Sequence, residues 1–175
     1  MMRRSDLQRE ENYNEYLRLL QNDDYLGVTY DEVSGGVSAV HKYHQFDKQK
    51  GAFGIRRGDY ERIVVNVLRN EGHRIVLESE MSVQGIKKCD GLLDDIPMEI
   101  KSIEGRGTWT ISTKLLEAEK QHAKCVVLFF PKADLYSDFR VIEGLRLFFS
   151  CPKRENQLKL SRLLVIVENR LVTDI

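Results

Sequence analysis

Between Cys89 and Ser102 the chain places an Asp, a turn and a Glu-x-Lys inside an apolar run: Asp90, then Glu99, Ile100 and Lys101. Successive side chains of a strand point to opposite faces. Glu99 and Lys101 therefore share one face, while Met98 and Ile100 can enter a core. A hairpin through Leu93 to Pro97 brings Asp90 back beside them. Two carboxylates and an ammonium at one spot are costly unless a divalent cation and a phosphate complete the charge balance. The chemistry that such a cluster could do is metal-dependent hydrolysis of a phosphodiester.

Such a cluster needs elements to hold it. Ser5 to Asn22 predicts a helix, with Ser5 or Asp6 as cap and Leu7, Tyr13, Tyr16, Leu17 and Leu20 at roughly helical spacing. Gly27 to Gly54 is less regular and reads as part of an arm, residues 1–53, ahead of a main domain at 54–175. Asp59 is the expected N-cap of a strong helix whose stripe is Ile63, Val64, Val67 and Leu68, and Gly72 its stop. Arg74 to Glu78 predicts a strand, followed by the Asp90 and Glu99 strands. Ser112 to Gln121 predicts a helix and Lys124 to Phe130 a buried strand ended by Pro131. Phe139, Ile142, Leu145 and Phe149 favour a helix over Ser137 to Phe148. Leu163 to Val167 and Arg170 to Thr173 predict a terminal hairpin turning at Glu168-Asn169. This order implies an α/β sandwich: a mixed central sheet flanked by helices, with an N-terminal helical arm.

Composition bounds the class. The chain has 175 residues, 42% of them hydrophobic, enough for one domain with a real core. Lys and Arg total 27, as do Asp and Glu, so global charge gives no support for nucleic-acid binding; only a local basic patch would. Cys89, Cys125 and Cys151 form no CxxC pair, which argues against a thiolate zinc site and for reduced thiols in a cytoplasmic setting. Met1 to Glu11 is polar and charged, unlike a signal peptide, and the longest apolar run, Cys125 to Phe130, is too short to span a bilayer.

The order helix with Glu61, strand, Asp90, Glu99-Ile100-Lys101, helix, strand resembles the PD-(D/E)XK nucleases, the restriction-endonuclease-like superfamily. The proline-aspartate dipeptide of that family stands here as Cys89-Asp90. Gly58-Asp59-Tyr60-Glu61, Gly72-His73 with the strand to Glu80, and Asp90-Gly91-Leu92 through Glu99-Ile100-Lys101 are similar to the tRNA nuclease domains of contact-dependent growth inhibition toxins. Gly35-Gly36-Val37 and His41-Lys42-Tyr43-His44 look like a piece found beside such domains in phage and mobile-element proteins. The likeness covers roughly Ala52 to Phe130.

The resemblance implies that Asp90, Glu99, the Ile100 backbone carbonyl and Glu61 hold Mg²⁺ or Mn²⁺, and that Lys101 positions the attacking water or stabilises phosphorane charge. It implies Lys114 or Gln121 as a polar residue facing the site from the second core helix. Lys87, Lys88 and Arg106 would contact a nucleic-acid backbone, and Trp109 would stack on a splayed base. The implied substrate is tRNA or other RNA, favoured over DNA by a thin margin, and a toxin of this kind would have an immunity protein as partner. The sequence gives no reading of oligomeric state.

Plainer readings stand beside these. Glu-x-Lys alone is usually a surface ion pair; Asp90 and Glu61 tilt it toward catalysis. Asp94 and Asp95 read as turn residues, and Glu80 as a solvated edge or an outlying support of the site. His41 and His44 read as solvated or capping residues, and His73 as meeting the last carbonyls of its helix. Cys89 reads as a small buried residue, Trp109 as packing, and Arg56-Arg57 and Lys87-Lys88 as solvated faces. Two other functions remain open: an inactive module that binds nucleic acid or protein, and a structural accessory protein of a phage or mobile element that docks through its arm.

Overall fold

The computed structural model describes residues 6–79, 88–152 and 160–175. Its elements are α1 (Asp6–Leu20), β1 (Tyr25–Tyr30), β2 (Val37–His41), α2 (Arg57–Asn70), β3 (Arg74–Leu77), β4 (Gly91–Leu93), β5 (Ile96–Ser102), α3 (Thr110–Lys120), β6 (Cys125–Phe130), α4 (Asp138–Phe149), β7 (Arg162–Val167) and β8 (Arg170–Asp174). The strands form one mixed eight-stranded sheet in the order β1 to β8, flanked by the four helices. Three neighbouring pairs are parallel, β2 with β3, β5 with β6 and β6 with β7. Each is joined through a helix, as a parallel pair requires.

β6, Cys-Val-Val-Leu-Phe-Phe, is buried at every residue because helices cover both its faces. Val127 and Phe129 meet Val64 and Leu68 of α2 on one face. Val126, Leu128 and Phe130 meet Leu115 of α3 and Phe148 of α4 on the other. Fully burying side chains of this size stabilises the fold by about 1.5–3 kcal/mol each. The alternation continues into β5, so Met98 and Ile100 join the α2 layer, while Glu99 and Lys101 fall on the α3 face.

Helix α2 begins two residues before Asp59, and its N-cap position is Arg56, which makes no side-chain cap. Asp59 instead sits in the first turn, paired with Arg62 at 3.1 Å, where its charge still favours the helix dipole. The stop is as expected. Gly72 takes φ +87°, its N–H donates to the Arg69 carbonyl, and the His73 N–H donates to the Leu68 carbonyl. The β4–β5 hairpin turns at Asp94 and Asp95, both at positive φ, and the terminal hairpin at Glu168 and Asn169. Ser137 caps α4, accepting the Arg140 N–H at 3.2 Å.

The segment before residue 54, expected as an arm, supplies α1, β1 and β2. Strand β2 pairs along its length with β3, and Val37 and Ala39 share an apolar cluster with Leu19 of α1 and Val76 of β3. The arm is thus built into the main sheet. Among the described residues no helix is long and apolar enough to cross a membrane.

Candidate active site

Asp90 stands one residue before β4, a strand of three residues, and Glu99 and Lys101 stand on the far half of β5. Because β4 pairs with β5 only from Gly91, Asp90 is left beside Glu99 with its backbone and side chain free to turn toward that strand. Gly91 permits the close approach of β4 to β3 on its other side: a Cβ there would lie 2.1 Å from the Val76 carbonyl oxygen. The Asp90 N–H donates to Glu99 Oε2 at 3.1 Å, and the Ile100 N–H donates to Asp90 Oδ2 at 2.7 Å. Lys101 Nζ donates to Glu99 Oε1 at 2.7 Å and to Gln121 Oε1, just past α3, at 2.9 Å. The N–H and C=O of one strand residue point to the same side, so the Ile100 carbonyl faces Asp90 as well.

Asp90, Glu99, Ile100 and Lys101 line a cleft of about 1250 Å³, as does Glu61 of α2. Glu99 is 2% exposed. Burial pushes the Asp90 carboxyl up to about 8, with the Glu99 and Glu61 charges adding to the push and the Ile100 N–H and Lys101 opposing it. Glu99 is raised too, by burial first, against the pull of Lys101. One ammonium therefore does not balance the carboxylates it faces. Full ionisation of the cluster is unfavourable until a cation meets it.

The other expected residues distribute unevenly. Lys114 lines the cleft, with Nζ 2.9 Å from Glu117 Oε2. Lys88 is exposed and outside the cleft lining. Arg106 is tied to Asp134, through the backbone oxygen at 3.0 Å and the carboxylate. Trp109 is 63% exposed ahead of α3 and does not line the cleft. Lys87 and Glu80 lie outside the described residues.

Three further residues, His44, Glu78 and Glu104, enter that were not among the expected site residues. His44, expected to be solvated or capping, is 8% exposed and lines the cleft. Its Nε2 lies 3.0 Å from Glu61 Oε2 and its Nδ1 2.9 Å from the Glu78 carbonyl oxygen. Glu78 in turn donates its N–H to the Asp90 carbonyl at 2.9 Å, and its carboxylate accepts the Tyr25 hydroxyl at 3.0 Å. Glu104, just beyond β5, accepts the Ala52 N–H at 3.3 Å and Arg57 at 3.4 Å, fixing the loop ahead of α2 against the cleft. A His-x-x-His spacing gave no sign of this, because the partners of His44 lie 17 and 34 residues away.

Cys89 is half-buried, donates to the Gln121 carbonyl at 3.0 Å, and has its thiol pushed up to about 11 by burial, which suits packing and not nucleophilic attack. His73 meets its helix through its backbone N–H, and its ring is engaged elsewhere. Its Nδ1 lies 2.8 Å from Asp94 Oδ2, because the β4–β5 turn folds back over the helix end.

No protein-family model and no curated protein matches the sequence. A chain of the CdiA-CT/CdiI toxin and immunity complex from Burkholderia pseudomallei matches in structure, with a TM-score of 0.55 and 17% identity over 79% of this chain and 98% of that one. At this identity the likeness is one of fold. The mixed α/β architecture described above is what the two chains share.

Proposed function

We propose that this chain is a metal-dependent nuclease of PD-(D/E)XK type, hydrolysing phosphodiester bonds of nucleic acid, with tRNA-like RNA slightly favoured over DNA. The observation that carries the reading is the junction of Asp90, Glu99 and Lys101 in one hydrogen-bonded cluster, buried at a cleft and short of positive charge. The donor set fits a hard cation. Asp90, Glu99, Glu61 and the Ile100 carbonyl offer only oxygen, as Mg²⁺ and Mn²⁺ prefer. Among the described residues no three His, Cys, Asp or Glu side chains come together to hold a metal ion. Mg²⁺ is commonly held by one or two carboxylates with waters and substrate phosphates supplying the rest. Once bound there, the ion would lower the pKa of a water and polarise the phosphoryl group.

The residues of the chain do the remaining work. Lys101, fixed between Glu99 and Gln121, presents its ammonium to the charge that grows on the phosphoryl oxygens. Asp90, locked by the Ile100 N–H, offers its second oxygen to the cleft. Lys114 and Lys48 line the same cleft and would hold flanking phosphates, which sets affinity without reading sequence. An immunity protein is a natural partner on this reading, since the structural neighbour is a toxin and immunity complex.

A second reading draws on the closed hydrogen bonds of the cluster. Both Glu99 oxygens are already engaged, so the cluster can also be a structural clasp in a binding module that cuts nothing. Incubation of wild type and Glu99→Gln with total tRNA, plasmid and single-stranded DNA, in Mg²⁺, Mn²⁺ or EDTA, separates the two. The nuclease reading expects metal-dependent cutting by wild type and at least about a 100-fold loss in Glu99→Gln. No cutting by wild type under any metal favours the clasp.

A further inference from the structure

We propose that His44 is a positioning residue that sets the place of Glu61 relative to Asp90, so that the segment before residue 54 completes the active site. The inference rests on the nuclease reading above. The geometry is specific. The His44 ring is wholly enclosed, and Phe46 meets it edge-on at 4.8 Å and 80°, so its orientation is fixed. Phe46 is itself covered by the Arg62 guanidinium at 3.8 Å, which anchors the stack to α2.

Both ring nitrogens face acceptors. The Glu78 carbonyl can only accept, so Nδ1 carries a hydrogen toward it. The Glu61 carboxylate is the partner of Nε2. The ring thus acts as a rigid bracket with one prong on the carboxylate of α2 and the other on the backbone beyond β3. The same Glu78 unit donates to the Asp90 carbonyl. A short path therefore runs from Glu61 of α2 through His44 and Glu78, beyond β2 and β3, to Asp90 ahead of β4. Partners that orient metal-ligating side chains in this way typically change metal affinity or activity by about 10- to 100-fold when lost.

Two amide variants split the bracket. The amide nitrogen of Asn reaches the place of Nδ1, and that of Gln the place of Nε2. His44→Asn should keep the Glu78 contact, release Glu61, and lose about 10- to 100-fold in Mn²⁺ affinity by calorimetry and in cleavage rate. His44→Gln should recover most of that loss. In a Glu61→Ala background, His44→Asn should cost no further Mn²⁺ affinity, a coupling that a purely structural role would not produce. Melting curves on all variants report folding separately. Equal losses in the Asn and Gln variants, or additive losses with Glu61→Ala, would overturn the role of His44 while leaving an active wild type as a nuclease. A wild type that binds no Mn²⁺ and cuts nothing overturns the nuclease reading, and this proposal with it.

Discussion

The two ends of the β4–β5 hairpin both gather acids, and they treat them in opposite ways. At the turn, Asp94 accepts the Arg74 N–H at 2.9 Å, lies 2.8 Å from His73 Nδ1, and takes Arg162 at 2.8 Å. Arg162 also grips Asp174 at 2.7 Å, and Arg74 pairs with Asp95. Two guanidiniums and the His73 ring face the three carboxylates there. The Arg162 guanidinium is held further toward its charged form by Asp174 and Asp94. At the strand end, Asp90, Glu99 and Glu61 face Lys101 and the His44 ring, and the carboxyls of Asp90 and Glu99 are pushed up by burial. A charge cluster that closes on itself holds structure together. One left in excess of acid, at the mouth of a cleft, is built to meet something else.

The sharpest way to separate the ends is by substitution. Glu99→Gln should abolish cleavage in a chain that still folds, with a lowered melting temperature, since Gln can accept from the Asp90 N–H but turns its amide nitrogen toward the Lys101 ammonium. Arg162→Ala should act on the fold alone. It strands Asp94 and Asp174, costing about 1–3 kcal/mol in denaturant unfolding after allowance for their partial exposure, with Mn²⁺ affinity unchanged. If Arg162→Ala weakens Mn²⁺ binding as much as it weakens the fold, the two ends are not independent and the comparison fails.

A smaller effect lies in the pH dependence of the metal-free protein. Asp90 keeps its proton in the folded state up to about 8, whereas the unfolded chain loses it near the ordinary carboxylate value. The unfolded state therefore binds fewer protons between those limits, and stability falls as pH rises through them, by at most about 1.4 kcal/mol per pH unit. Thermal melts in EDTA from pH 5 to 8 should show that decline, and Asp90→Asn should flatten it. A decline of equal slope in Asp90→Asn would place its origin elsewhere.

Much of this molecule is legible where the determinants are local. The α2 stripe, the Gly72 stop, the Asp94-Asp95 turn and the buried run of β6 all follow from residues within a few positions of one another. So does the meeting of Asp90 with Glu99 and Lys101, because a tight hairpin joins them. What escapes is set by distant pairing. β2 finds β3 across a helix and a loop, and nothing in Val37 to His41 marks it as an inner strand of the main sheet rather than part of an arm. His44 reaches Glu61 only once β2 is in place. His73 looks like a helix-end residue until the hairpin turn delivers Asp94 to it. Arg106 and Trp109, named for their chemistry alone, end up on an ion pair and an open surface.

The most direct test of the central claim is Mn²⁺ titration of the wild type near pH 7 by calorimetry, repeated in two buffers of different ionisation enthalpy. A cation that completes this cluster must displace the proton that burial keeps on Asp90. The account predicts a saturable site, proton release approaching one per ion, and loss of both in Asp90→Asn. Absence of saturable binding, or binding of equal strength in Asp90→Asn, would contradict it.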